Sequence, residues 1–142
     1  KGFIIVGQET DGTVTPYDLG MDWIVSKTKH DFVGKRALKR ADIIKNDRKQ
    51  LVGLLTENEK EVIPEGSQIV ETPASAPPMV MVGHVTSSYY SPNCNRSIAM
   101  ALVKAGKEKI GQTLHVPLRN KTIKVTVIDT QFFDKEGIRL DG

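Results

Sequence analysis

Six short β-like segments fill the chain after residue 47, and they constrain the fold more than any other feature of the sequence. They span residues 51–55, 68–70, 79–82, 97–103, 114–116 and 123–128. Turn-forming residues separate them, among them Pro64-Glu65-Gly66 and Ser91-Pro92-Asn93. Six short strands at this spacing predict a closed or nearly closed antiparallel barrel, because closure protects the strand edges.

The first 46 residues have a different pattern. Residues 3–6 are continuously apolar and predict a buried strand, residues 8–13 predict a turn, and residues 23–25 predict a second strand. From residue 34 the period becomes helical, which predicts a helix over 34–46. Four apolar residues would share one face of that helix: Ala37, Leu38, Ala41 and Ile44.

These patterns predict an α+β, mostly β fold in two domains. Residues 1–46 would form a partial α/β domain of strand, turn, strand and helix. Residues 47–142 would form a six-stranded antiparallel Greek-key-like β-barrel. A first domain of this size buries too little apolar surface alone, so we expect it to pack against further polypeptide and the chain to be part of a longer protein.

Composition narrows the classes of function. The chain is 39% hydrophobic and 26% charged, as in ordinary soluble proteins, and it has no apolar run of membrane-spanning length. Its net charge of +3 is modest, and basic residues alternate with apolar or acidic ones, which favours solvated faces over a nucleic-acid interface. A single cysteine, Cys94, fits a reducing compartment, so we expect a cytoplasmic location.

Few residues in the sequence suggest catalysis. His30, His84 and His115 lack the spacing of metal ligands, so no metal site is predicted. The sequence contains neither a nucleophile-elbow motif nor a phosphate-binding loop. The residues alone therefore indicate no catalytic group within the chain.

Residues 86–92 are the most distinctive polar stretch, with six hydroxyl-bearing residues in seven positions. They read as a connection between two apolar strands. One interpretation is a hydrogen-bonded turn that seals one end of the barrel. The other is the wall of a pocket in which a ring stacks on Tyr89 or Tyr90.

Three phrases together carry a resemblance to a known family. They are Thr-Pro-Tyr-Asp-Leu-Gly at 15–20, Asp-Phe-Val-Gly-Lys-Arg-Ala-Leu at 31–38, and Gly-His-Val-Thr-Ser-Ser-Tyr-Tyr-Ser-Pro at 83–92. In this order they resemble the folate-binding, aminomethyltransferase-type (T-protein-like) half of heterotetrameric sarcosine oxidase α subunits. Ile-Val-Gly at 5–7, where aminomethyltransferases typically have Leu-Tyr-Gly, favours the oxidase branch.

The resemblance implies a function for the whole enzyme. Enzymes of this kind oxidise the N-methyl group of sarcosine at a flavin on the β subunit. They pass the methylene to tetrahydrofolate or release it as formaldehyde, with glycine and hydrogen peroxide as products. Flavin and NAD would belong to the parent enzyme outside this chain, and the implied partners are folate and the other subunits, with no nucleic acid and no membrane.

Only some of the family's functional residues have a matching position in this chain. Its catalytic aspartate and pterin-binding carboxylate are expected upstream of Lys1. Lys29, just before the Asp-Phe-x-Gly-Lys phrase, and Arg139, near the carboxyl end, are implied tetrahydrofolate contacts, whose role would be to pair with the carboxylates of the glutamate tail. Three alternatives stay open: a glycine-cleavage aminomethyltransferase, a dimethylglycine dehydrogenase-like protein, and a non-catalytic interaction module.

Overall fold

Six strands form a closed antiparallel barrel in the computed structural model, which describes residues 1–74 and 76–140. The strands are β1 (Lys49–Thr56), β2 (Gln68–Val70), β3 (Met81–Ser91), β4 (Arg96–Lys104), β5 (Thr113–Pro117) and β6 (Thr122–Ile128). Around the barrel their order is β1-β4-β3-β2-β5-β6, and β6 pairs with β1 to close it. Because β2, β3 and β4 are consecutive neighbours and β1 lies beside β4, the order is that of a Greek key. The predicted barrel is confirmed.

Alternation along the strands places the core inside the barrel. In β6, Ile123, Val125 and Val127 are 3% exposed or less, whereas the residues between them face solvent. Each strand contributes such inward side chains, and Ile63, from the connection between β1 and β2, joins them. A barrel of six strands is narrow enough for side chains alone to fill it. The interior is therefore a packed core.

A β-bulge changes the phase of β3. Val85 pairs with Ala101, but the next pair is Ser87 with Met100, so Thr86 is an extra residue on its strand. The Thr86 hydroxyl donates a hydrogen bond of 3.0 Å to the carbonyl oxygen of Met100. Beyond the bulge, Ser87 and Tyr89 lie on the outer face of the barrel, opposite Met100 and Ile98.

The prediction that residues 86–92 connect two strands is wrong for residues 86–91. They are not a connection: they belong to β3, and only residues 92–95 form the turn to β4. Threonine and tyrosine favour strands, and pairing with β4 satisfies the backbone groups of this stretch. That pairing outweighs the turn preference of the serines.

The predicted strands in the first 46 residues are wrong. Residues 3–6 form no strand, and a single bridge joins Val6 to Thr10. Residues 23–25 fall mainly in a 3₁₀ helix, Asp22–Ile24. Neither stretch lies beside a strand that could supply a ladder of hydrogen bonds, so apolar composition alone does not make them strands.

The predicted helix over 34–46 is also wrong. Only a 3₁₀ turn, Ala37–Lys39, is present, and Arg40 is extended, with φ −63° and ψ 147°. The apolar face of the predicted helix is not buried: Ile44 is 63% exposed. Since a helix of this length is marginal in water without a surface to pack on, periodicity alone does not form it.

The first 20 residues lie against the outer face of β1 and β4. A second apolar cluster forms there around Leu51, Met100 and Leu102, and four partly buried side chains cover it: Ile4, Val14, Leu19 and Phe132. The division of the chain into domains at residues 46 and 47 stays a prediction.

A buried ion pair fastens this covering segment to the barrel. Asp18 is 3% exposed, and its carboxylate accepts hydrogen bonds from Arg48 Nε (2.9 Å), Arg48 Nη2 (2.7 Å) and the Thr15 amide (2.8 Å). Arg48 Nη2 also donates to the carbonyl oxygen of Thr13 at 2.7 Å. Burial alone would raise the pKa of Asp18, but the hydrogen bonds from Arg48 and Thr15 outweigh it and hold the pKa below its ordinary value.

We expect Asp18→Asn to lower the free energy of unfolding at pH 7 by about 2–3 kcal/mol, because Arg48 then lacks its counter-charge. Because the folded pKa is depressed, the carboxylate contributes fully above the unfolded pKa of about 4 and loses its contribution as pH falls through the folded pKa. Urea denaturation of both proteins at pH 7 and at about pH 3 checks this. Asp47→Asn is the control, since its pair with Lys104 is solvent-exposed and should contribute little. An equal loss from Asp18→Asn at both pH values would contradict the prediction.

His84, on the same outer face, is a second group whose protonation should make stability depend on pH. It is half-buried in β3. Burial, together with the nearby charge of Lys49, lowers the pKa of His84, and Asp11 opposes that shift only in part.

Because the pKa of His84 is lower in the folded chain than in the unfolded chain, the unfolded chain takes up the proton at a higher pH. Stability should therefore fall as pH drops below the unfolded pKa of about 6.5 toward the lower folded value. We expect His84→Gln to reduce this loss between pH 7.5 and pH 5, as measured by urea denaturation. His30→Gln, at an exposed loop position, is the control and should leave the slope unchanged. A slope that both variants share with the parent protein would rule out His84 as its source.

Candidate functional site

A cavity of about 220 Å³ lies on the outer wall of the barrel, between strands β3 and β4 and the first residues of the chain. The floor of the cavity consists of outward-facing side chains of β3 and β4. The strand register brings them together, because Ser87 pairs with Met100 and Tyr89 with Ile98 on the same outer face. Phe3 and Ile5 from the covering segment and Phe132 from the stretch after β6 complete it. The lining is therefore mainly apolar and aromatic.

The two tyrosines predicted as a pocket wall occupy different environments. Tyr89 lines the cavity and is 51% exposed, so one side of its ring is open to solvent. Tyr90 does not line it: its hydroxyl donates a 2.9 Å hydrogen bond to Oδ1 of Asn95 in the turn after β3. Tyr89 therefore lies at a cavity, whereas Tyr90, in the same strand, is hydrogen-bonded to the turn that follows it.

Two carboxylates lie close to Tyr89. Desolvation, followed by the nearby charge of Glu65, raises the pKa of the Tyr89 phenol. Glu65 Oε1 accepts a hydrogen bond of 3.3 Å from the Ser88 amide, and Gln8 Nε2 donates to Glu65 Oε2 at 3.4 Å. These contacts join the covering segment to the strand that carries Tyr89.

Glu9 is the second of these carboxylates, and the sequence analysis did not single it out. It is fully buried, and its Oε2 accepts a 2.6 Å hydrogen bond from the Ile5 amide. Its Oε1 has no hydrogen-bond partner among the described residues. The only signal in the sequence was an acid three residues after a continuous apolar run, residues 3–6.

Lys29 lies apart from the cavity. It is exposed, and its carbonyl oxygen accepts a 2.6 Å hydrogen bond from Lys35 Nζ. Its own side chain forms no hydrogen bond with the part of the chain that is described. It does not line the cavity that holds Tyr89.

Arg139 lies in the 3₁₀ turn Ile138–Leu140, and its guanidinium stands 5.0 Å from the ring centre of Phe133. This is a cation–π contact at an exposed position. Arg139 does not line the cavity either. The structure therefore does not bring Lys29, Arg139 and Tyr89 together into one site.

A whole folate does not fit the residues around Tyr89. Sites for ligands of that size usually enclose about 300–1,000 Å³, more than this cavity offers. The barrel interior gives no alternative, because the side chains of its core, Leu54 and Val116 among them, are fully buried. The residues around Tyr89 can offer a folate one wall with an aromatic ring, but not an enclosure.

The remaining reactive side chains do not converge. His115 lies on β5, and its Nδ1 is 2.9 Å from the carbonyl oxygen of Glu71, so this nitrogen carries the proton. Cys94 is in the turn before β4, with Sγ 3.7 Å from the carbonyl oxygen of Phe132. Within residues 1–74 and 76–140, no group of three or more His, Cys, Asp or Glu side chains could hold a metal ion. In the same ranges, no helix is long and apolar enough to cross a membrane.

Known proteins are similar to this chain in sequence and in fold. Residues 49–134 match the family described as the glycine cleavage T-protein C-terminal barrel domain. The whole chain is 48% identical to sarcosine oxidase subunit alpha of Corynebacterium sp. (strain P-1) over 147 residues, and 48% identical to that of Corynebacterium sp. (strain U-96) over 144. An aminomethyltransferase of Clostridium botulinum (strain Langeland / NCTC 10281 / Type F) is 34% identical over 140 residues, which include 94% of the chain.

The chain spans only part of these relatives: 15% of each Corynebacterium subunit and 34% of the aminomethyltransferase. The crystal structure of glycine cleavage system aminomethyltransferase T from Bartonella henselae has the same fold, with a TM-score of 0.75 and 23% sequence identity, over 94% of this chain and 37% of that one. Because the family match covers all six strands and more than half of the chain, the chain belongs to the glycine cleavage T-protein C-terminal barrel domain family.

Proposed function

We propose that this chain is the T-protein-like part of a sarcosine oxidase α subunit, and that it forms one side of the folate site in that enzyme. The observation that carries the proposal is the 48% identity to two sarcosine oxidase α subunits over the full chain. Identity to the aminomethyltransferase is lower, at 34%. The proposal places the chain in the oxidase branch of a family that contains both kinds of enzyme.

The reaction of the intact enzyme is an oxidative demethylation. Sarcosine, water and O₂ give glycine, formaldehyde and hydrogen peroxide. When tetrahydrofolate is present, it takes the methylene in place of water, and 5,10-methylenetetrahydrofolate replaces formaldehyde. The flavin that serves the redox step, and the NAD of the parent enzyme, would be bound elsewhere in the cytoplasmic assembly. The other subunits would be this chain's protein partners.

The geometry favours a structural role for this chain, as one wall of the folate site, over a catalytic role. Tyr89 presents one aromatic face at an open apolar cavity, where a planar ring could stack. Lys29 and Arg139 are exposed cations that could pair with the carboxylates of a folate glutamate tail at a rim. The cavity beside Tyr89 is too small for the whole ligand, so other polypeptide would supply the remaining walls and the catalytic carboxylates.

Turnover by the full-length gene product, expressed together with the subunits encoded beside it, tests the proposal. We expect sarcosine to yield glycine and hydrogen peroxide in equal amounts. Adding tetrahydrofolate should divert the one-carbon product from formaldehyde to 5,10-methylenetetrahydrofolate while peroxide formation continues. Product analysis by mass spectrometry and a peroxide assay would follow both branches.

Three other results would replace the proposal. Formation of 5,10-methylenetetrahydrofolate from an aminomethylated lipoyl protein and tetrahydrofolate, without sarcosine oxidation, would identify a glycine-cleavage aminomethyltransferase. Oxidation of dimethylglycine in preference to sarcosine would identify a dimethylglycine dehydrogenase-like enzyme. Absence of any turnover, together with absence of folate binding, would leave only an interaction module.

Variants of the full-length protein test the binding residues. We expect Lys29→Ala to weaken tetrahydrofolate binding about tenfold, which corresponds to the loss of about 1.4 kcal/mol from one charge-assisted contact. Tyr89→Ala should weaken it by a similar factor through loss of stacking. Calorimetric titration measures both. Lys27→Ala and Tyr90→Ala are the matched controls and should bind as the parent does; equal effects in variant and control would remove these residues from the site.

A further inference from the structure

Residues 5–10 form a small loop that closes on itself through Glu9. The amide of Glu9 donates to the carbonyl oxygen of Ile5 at 3.1 Å, and the carboxylate of Glu9 accepts from the amide of Ile5 at 2.6 Å. Gly7 N donates to Thr10 Oγ1 at 3.0 Å and closes the loop a second time. Both backbone groups of Ile5, which lines the cavity on the outer wall of the barrel, are therefore held by one residue.

The same loop is joined to the strand that carries Tyr89. Gln8 Nε2 donates to Glu65 Oε2 at 3.4 Å, and Glu65 Oε1 accepts from the Ser88 amide at 3.3 Å. Desolvation and then Glu65 raise the pKa of the Tyr89 phenol, and the charge of Glu9 adds to their effect, so Glu9 lies near the phenol. The loop and the aromatic ring thus form two adjacent sides of one cavity.

The burial of Glu9 is a property of this chain alone. The described residues cover Glu9 completely, and further polypeptide could only add to that burial. Its Oε1 is buried as well, with no hydrogen-bond partner among the described residues, and none of their cations forms an ion pair with Glu9. Because an unpaired buried oxygen costs stability, the stability of the fold does not explain an acid at this position.

We propose that Glu9 is a positioning residue for the folate wall: its carboxylate holds the Ile5 amide and so keeps the loop of residues 5–10 in place beside Tyr89. The inference rests on the proposed function, because it concerns the same site. A ligand that meets a loop already in place loses less entropy on binding, so preorganisation raises affinity without a new contact. Glu9 itself would touch no ligand, since no part of it is exposed.

Two replacements of Glu9 in the full-length protein separate its hydrogen bond from its charge. Glu9→Gln keeps an oxygen that can accept from the Ile5 amide, whereas Glu9→Leu fills similar space without an acceptor. We expect Glu9→Gln to bind tetrahydrofolate within about twofold of the parent and Glu9→Leu about tenfold more weakly, because the ligand must then order the loop. Calorimetric titration measures both. Glu57→Leu, the same replacement at an exposed position outside the cavity, is the control and should bind as the parent does.

Hydrogen exchange at the Ile5 amide, measured without folate, tests the geometry independently of the ligand. Exchange should be slow in the parent and in Glu9→Gln, and about tenfold faster in Glu9→Leu, whose Ile5 amide has lost its acceptor. Slow exchange in β1 and β4 would show that the barrel remains folded. If Glu9→Leu does not fold, Thr10→Val replaces it: this variant removes the acceptor of the Gly7 amide and should weaken tetrahydrofolate binding about threefold.

Three outcomes would overturn the inference. Equal affinity of the parent and a folded Glu9→Leu variant would remove Glu9 from the site and leave the proposed function standing. A loss in Glu9→Gln as large as that in Glu9→Leu would assign the effect to the charge of Glu9 and not to the hydrogen bond. A parent protein that does not bind tetrahydrofolate would remove the proposed function together with the positioning role, and faster Ile5 exchange in Glu9→Leu would then show only how the loop is closed.

Discussion

Strand β1 pairs with β4 along one edge and with β6 along the other, and the rest of the structure depends on that double pairing. It closes the barrel, so the inward side chains form one dry core and the outward side chains of β1 and β4 form a continuous wall. The covering segment, residues 1–20, packs on that wall, and the cavity beside Tyr89 lies on its continuation at β3 and β4. The candidate site is therefore an external feature of the barrel, set by strand register rather than by a hollow inside it.

The covering segment is held mainly by polar contacts. Its fully or nearly buried residues are Glu9, Thr15 and Asp18, and no hydrophobic side chain before Leu51 is buried. Contacts of this kind fix geometry closely, because each hydrogen bond has a required direction, but they add little net stability. The arrangement suits a segment that must present a surface in a defined position, and regions with few buried apolar contacts are also the first to open locally.

How far the sequence predicts this structure depends on whether local pattern and long-range pairing agree. Five of the six strands were located to within about two residues. The turn residues around each run marked the ends, and residues 123–128 alternate because one face of that strand is buried in the core. The prediction of a helix over 34–46 failed because the residues that the structure describes do not bury its apolar face, a condition that the local sequence does not reveal. Residues 86–91 were misplaced because pairing with β4 decides their conformation.

The candidate site was less predictable than the fold, for the same reason. The polar stretch 86–92 indicated Tyr89 and Tyr90 together. Nothing local distinguished Tyr89, which lines a cavity, from Tyr90, whose hydroxyl bonds to Asn95 in the turn after β3. Glu9 was missed because its burial arises from contacts with distant segments. The roles of Lys29, Arg139, Tyr89 and Tyr90 toward folate stay predictions.

The β-bulge at Thr86 decides which way an aromatic ring faces. If the same residues of β3 alternated strictly from the inward-facing Val85, Ser87 and Tyr89 would face inward and Ser88 outward. The phenol of Tyr89 would then point into the close-packed interior, which has no room for a ring. Because the bulge accommodates one extra residue, Tyr89 stays opposite Ile98 on the outer wall of the barrel and the core stays free of an aromatic ring.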